Sequence, residues 1–155
     1  MLQPKRPIAV IWDLDGTLVD SAPDLAGALN TLLQEHQILP LEVADVRRMI
    51  GNGVPKLVER GFGTGVRKLQ ADELQELVPR FMAIYSQRAT RLTRPYSGIR
   101  EALQNFQDAG ASQAVCTNKP EVISRKILQA LDLDKYFEVV VGGDTLEHRK
   151  PHPLP

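Results

Sequence analysis

The chain has 155 residues, enough for one domain or two small ones. Its 43% hydrophobic and 25% charged residues are those of an ordinary soluble globular protein, and zero net charge without a polybasic run argues against nucleic acid or an anionic membrane as partner. No apolar stretch reaches the roughly 18 residues of a membrane helix, and the single Cys116 excludes an internal disulfide and fits a reducing cytoplasm.

The segment Met1–Pro7 carries basic residues but runs into an apolar stretch too short for the core of a signal peptide. That stretch, Ile8–Trp12, has no polar alternation and is expected as a strand buried on both faces of a parallel sheet. Asp13 and Asp15 follow just past its carboxyl end, where open α/β sheets place their ligand sites.

From Ser21 to about Arg91 the pattern is helical. Ser21 is expected as an N-cap with Asp24 as its capping-box acid, and Ala22, Leu25, Ala26, Leu29, Leu32 and Leu33 follow at helical spacing. A short helix is expected over Leu41–Ile50, stopped by Gly51, and another after Gly53 with Leu57 and Val58. Gly61, Gly63 and Gly65 read as a loop. A long helix begins near Ala71 and shows Leu74, Leu77, Val78, Phe81, Ile84 and Tyr85 on one face. Pro79 inside it predicts a kink or break near Val78. With no strand-like run in it, this stretch reads as a helical unit of its own.

After Arg94-Pro95 the α/β pattern resumes. Ser97 is expected to cap a helix with Ile99, Ala102, Leu103 and Phe106, closed by Gly110. Ser112–Cys116 reads as a second strand, with Cys116 a buried core thiol. Pro120 fits the first turn of a helix striped by Val122, Ile123, Ile127, Leu128 and Leu131. Glu138–Val141 is a third strand, followed by Gly142-Gly143-Asp144 and Lys150-Pro151-His152-Pro153. His36, His148 and His152 have no metal-ligand spacing and read as surface residues.

Three strands thus end at three polar clusters: Asp13/Asp15, Thr117/Asn118 and, a little further on, Lys150. A parallel sheet brings all three to one edge. A nucleophilic carboxylate, a hydroxyl beside open N–H groups at a helix start, and an ammonium suit a phosphate monoester.

The sequence resembles the haloacid dehalogenase-like hydrolase superfamily and, within it, the phosphoglycolate phosphatase group. The matching residues are Asp13-Leu14-Asp15-Gly16-Thr17-Leu18-Val19-Asp20-Ser21-Ala22-Pro23-Asp24-Leu25, then Thr117-Asn118-Lys119-Pro120, then Lys150-Pro151-His152-Pro153. The resemblance covers nearly the whole chain. It implies a Rossmann-like α/β core over 1–20 and 92–155, with a parallel sheet of three strands, and an inserted helical cap over 21–91. It implies Asp13 as the nucleophile that becomes an aspartyl-phosphate, and Asp15 as the acid and then the base. It places Mg2+ on the Asp13 carboxylate and the Asp15 backbone carbonyl, phosphate on Thr117 and Asn118, and stabilising charge on Lys150. On the cap, Gly51, Asn52 and Gly53 are the candidates for approaching substrate, against a plain helix stop. Arg47 is the candidate for a substrate carboxylate, against a solvated face.

The resemblance also implies a fourth motif, a Gly-Asp with further acids at the end of a fourth strand, downstream of Lys150 and beyond Pro155. Asp144 is not its equivalent. A chain that ends at Pro155 is expected to hold Mg2+ weakly, to leave Ile8–Trp12 as a sheet edge, and to be marginally stable or self-associate through that edge. Two function classes follow. One is a cytoplasmic, Mg2+-dependent phosphatase on a small phosphorylated metabolite, 2-phosphoglycolate first, with a related phosphomutase or pyrophosphatase as neighbouring readings. The other is a non-catalytic member of the same fold. A dehalogenase is disfavoured, because Asp15 suits protonation of an alkoxide, which halide release does not need.

Overall fold

The computed structural model describes residues 9–64 and 69–155. Ile8, the Met1–Pro7 segment and Gly65 lie outside the described residues. The chain divides into two compact units: residues 1–19 with 95–155, and residues 20–94.

The first unit is Rossmann-like α/β. Its sheet is built from β1 (Ala9–Trp12), β4 (Ser112–Cys116) and β5 (Val139–Val141), in the order β1-β4-β5 with both pairings parallel. Two helices accompany it, α5 (Ile99–Asp108) and α6 (Glu121–Ala130), with one 3₁₀ turn over Asp134–Tyr136. Leu103, Val115, Ile127, Leu128 and Leu133 are fully buried and form its core. Trp12 meets Phe106 edge-on at 5.7 Å, and its indole N–H donates to Gln113 Oε1 at 3.1 Å. Gln113 in turn donates to the Leu103 carbonyl, so the polar tip of the tryptophan is satisfied inside the layer.

Several expectations change here. β1 is not buried on both faces: its one strand neighbour among the described residues is β4, and Ile11 is 68% exposed. The α5 helix starts from Gly98, at φ 80°, rather than from a Ser97 cap. A left-handed residue is needed there, and glycine takes that conformation without a Cβ penalty. Val122 is outside the α6 stripe and 77% exposed; Ile123, Ser124, Ile127 and Leu128 are the buried residues of this helix. The third strand begins at Val139, with the Glu138 N–H already on the Gln113 carbonyl.

The second unit is helical: α1 (Ala22–Glu35), α2 (Val43–Met49), α3 (Val54–Gly63) and α4 (Ala71–Ser86). Two short strands, β2 (Val19–Asp20) and β3 (Arg94–Pro95), mark where the chain passes from one unit to the other. The α2 helix is shorter than its apolar pattern, because Asn30 holds both backbone groups of Leu41 outside it, at 2.8 and 2.9 Å. Gly61 and Gly63 lie in α3 and not in a loop. A Cβ on Gly61 would come 2.8 Å from Leu29 Cδ1, so this glycine lets two helices approach closely. Pro79 does not end α4, which runs unbroken through it. Leu77, Phe81 and Tyr85 are buried on either side of the proline, and that packing outweighs the hydrogen bond it removes.

The expected capping box at Ser21 and Asp24 is replaced by a longer-range contact. Asp24 is fully buried, and its Oδ2 accepts from Leu92 N, Thr93 N and Thr93 Oγ1, each at 2.8 Å. The carboxylate serves the returning chain instead of its own helix start.

Candidate active site

The parallel register sets Trp12 beside Val115 and Cys116 beside Val141, so the loops after all three core strands leave from one edge. The first loop is tightly wound. The N–H groups of Leu18 and Val19 both donate to the Leu14 carbonyl, at 3.0 and 3.1 Å, and Gly16 turns at φ 83°. Leu14 and Leu18 are fully buried and anchor the loop, so the alternate residues Asp13 and Asp15 carry its polar face. The Leu14 N–H donates to Asp13 Oδ1 at 2.8 Å and fixes that carboxylate.

Lys150 reaches the same point from the far end of the chain. Its Nζ lies 3.0 Å from Asp13 Oδ1 and donates to the Cys116 carbonyl at 2.8 Å. Asn118 Nδ2 donates to the Lys150 carbonyl at 3.2 Å, so its side chain holds the lysine's backbone. Thr117 is buried at the end of β4. Of the N–H groups expected to stand open at this helix start, several are already engaged. Thr117 N donates to the Val141 carbonyl, Lys119 N to Thr117 Oγ1, and Glu121 N to Asp144 Oδ1 at 2.7 Å. The third loop folds back over the start of α6, where Asp144 takes the Glu121 N–H and acts as a cap for that helix. Glu121 accepts from Thr145 Oγ1, and this bond, reinforced by Arg125, holds its carboxyl below the usual glutamate range.

Lys119 lies within the Thr117-Asn118-Lys119-Pro120 motif, where sequence alone gives it no role. It is 5% exposed, and its Nζ lies 3.0 and 3.1 Å from the two carboxylate oxygens of Asp15. Each aspartate of the first loop therefore has its own lysine. Proximity to a threonine-asparagine pair was the only signal for Lys119 in the sequence.

The remaining candidates belong to the helical unit. Arg47, exposed, pairs with the less exposed Asp20 through Oδ2 at 3.0 Å. Asn52 accepts from Arg60, which also donates to the Met49 carbonyl. Arg60 thus braces the Gly51-Asn52-Gly53 turn, whose glycines sit at φ 113° and 84°. Only a glycine adopts such angles readily, so the turn is specified by backbone geometry as well as by any ligand.

Within the α/β unit an open cleft of about 810 Å³ runs past Gly143, His148, Lys150 and His152. The His148 and His152 rings lie 4.0 Å apart, tilted by 30°, and both are exposed. Among the described residues no three His, Cys, Asp or Glu side chains are grouped to hold a metal, and no helix is long and apolar enough to cross a membrane.

Comparison with known proteins identifies the family and the fold. Residues 10–155 match the model of the haloacid dehalogenase-like hydrolases. A phosphoglycolate phosphatase of Caulobacter vibrioides is 43% identical over 92% of this chain, and one of Cereibacter sphaeroides is 41% identical over 94%. The chain spans 60% of the length of the first and 67% of the second. A crystal structure described as a predicted phosphoglycolate phosphatase from Haemophilus somnus superposes with a TM-score of 0.87 at 32% identity, covering 96% of this chain and 68% of that one.

Proposed function

The chain belongs to the haloacid dehalogenase-like hydrolase family, and from that premise we propose that it is a phosphatase acting on a small organic phosphate monoester, 2-phosphoglycolate first. The observation that carries this reading is the Lys150 ammonium 3.0 Å from Asp13 Oδ1 at the carboxyl edge of the sheet. An oxygen nucleophile held beside a fixed cation is what attack on a phosphate dianion requires, because the cation offsets charge repulsion. The names of the relatives at about 40% identity support the choice of substrate.

In this reading an Asp13 carboxylate oxygen attacks phosphorus, and the ester P–O bond breaks. Asp15 gives its proton to the departing alkoxide and then takes one from the water that cleaves the acyl-phosphate. The Thr117 hydroxyl and Lys150 hold the phosphoryl oxygens, with Asn118 steadying the lysine. The residues fit a divalent cation, Mg2+ in this reading: the Asp13 side chain is 40% exposed, and it and the Asp15 carbonyl are hard oxygen donors. Such ions are commonly held by one or two carboxylates plus phosphate and water. When bound, the cation supplies charge neutralisation for the phosphate. Gly51, Asn52, Gly53 and Arg47 are proposed as the elements of the helical unit that read the leaving group. The setting is proposed to be cytoplasmic.

Release of inorganic phosphate from 2-phosphoglycolate by the purified chain with Mg2+, abolished by Asp13→Asn, is the expected result. No release at millimolar substrate and Mg2+ overturns the proposal in favour of a non-catalytic member of the fold.

A further inference from the structure

Lys119 is a charged group buried without a part in the chemistry above. Its side chain is 3% exposed, and that of Asp15 is 11% exposed. An ammonium withdrawn from water is costly unless paired, and a well-packed apolar residue is frequently as stable in its place. Fold stability is therefore a poor reason for this lysine to be here.

The geometry offers a better one. Lys119 Nζ grips both oxygens of Asp15, at 3.0 and 3.1 Å, and so opposes rotation of the carboxylate. Lys150 stands 3.0 Å from Oδ1 of the more exposed Asp13. The backbone beneath Lys119 is also fixed. Its N–H donates to Thr117 Oγ1, and its carbonyl accepts from Gly143 N at 2.9 Å. A Cβ on Gly143 would fall 2.4 Å from the Asn118 carbonyl oxygen, so the third loop reaches Lys119 only because glycine stands there.

We propose that Lys119 is a positioning residue that holds the Asp15 carboxylate in the orientation from which it exchanges a proton with the leaving group and with water. The proposal rests on the reading of Asp15 as acid and base. It divides the two lysines: Lys150 serves the nucleophile and the phosphoryl group, and Lys119 serves the proton carrier.

The test uses Lys119→Met, with Lys119→Gln in its place if the first does not fold. The χ1 scalar couplings of Asp15 in isotope-labelled chain are expected to report one rotamer in the wild type and rotamer averaging in the variant. Averaged couplings in the wild type, or a single rotamer kept in the folded variant, overturn the proposal. In turnover of 2-phosphoglycolate, kcat is expected to fall by about 100-fold, the scale of a misplaced reacting group, with KM nearly unchanged. The same substitution in an Asp15→Asn background is expected to cost nothing further. An unchanged kcat, or a rise in KM alone, overturns the proposal. If the wild type releases no phosphate, the phosphatase reading has failed, and the couplings still decide whether Lys119 positions Asp15.

Discussion

Lys150 Nζ stands 3.0 Å from Asp13 Oδ1 although the two residues come from opposite ends of the chain. The contact exists because β1 and β5 both pair in parallel with β4, so their loops open on the same edge. The lysine is fixed there by the Cys116 carbonyl and, through its own carbonyl, by Asn118.

Removing that cation tests its assignment. Lys150→Met is expected to lower phosphatase turnover by about 10²–10³-fold, the scale seen for loss of one transition-state donor. Its side chain is one-third exposed, so the thermal midpoint is expected to move little. A large loss of stability with turnover retained contradicts the assignment.

Asp24 is a buried carboxylate that ties two ends of the helical unit together. It is fully buried and accepts three hydrogen bonds from Leu92 and Thr93, with Arg88 Nε 4.0 Å away. Asp24→Ala leaves those donors without their acceptor and is expected to cost about 3–5 kcal/mol, as when one partner of a buried pair is removed. Urea unfolding measures this. A loss under about 1 kcal/mol refutes the clamp, because it is no more than an exposed pair contributes.

Glu121 gives the acid limb of stability a specific contributor. Its bonds to Thr145 and Arg125 lower its carboxyl pKa in the folded chain. As pH falls the unfolded chain takes up this proton first. The contribution is therefore full above the ordinary glutamate value of about 4.3 and is lost as pH drops through the lower folded value. Glu121→Gln is expected to flatten that part of the stability profile and leave the profile above it parallel to wild type. Denaturant titrations across the acid range test this, and an unchanged acid limb refutes it.

Among the described residues β1 pairs with β4 alone, and its other edge makes its own prediction. Ala9–Trp12 carries neither charge nor proline, and Ile11 is 68% exposed. Unprotected edges of this kind pair with one another. Sedimentation velocity of the 155-residue chain is expected to show concentration-dependent association, abolished by Ile11→Lys. A wild-type chain that sediments as a monomer at all concentrations removes this expectation.

The order of elements was legible because it depends on local pattern. The apolar runs at β1, β4 and β5, and the helical spacing from Ala22 to Leu33, place strands and helices within a residue or two of where they lie. Errors arose where a distant residue overrode a local preference. Gly61 looked like a loop residue until Leu29 packed against it. Pro79 looked like a break until Leu77, Phe81 and Tyr85 were buried around it. Asp24 looked like a cap until Thr93 returned to it.

The same division holds at the candidate site. The sequence by itself determined that two carboxylates follow an apolar strand, and that a threonine and a lysine follow later strands. Only the tertiary structure decided which cation meets which acid: Lys150 on Asp13, Lys119 on both oxygens of Asp15. That pairing spans more than a hundred residues and depends on strand register, with Trp12 opposite Val115. Hydrophobic periodicity reports which face a residue takes, but not which neighbour lies across the sheet.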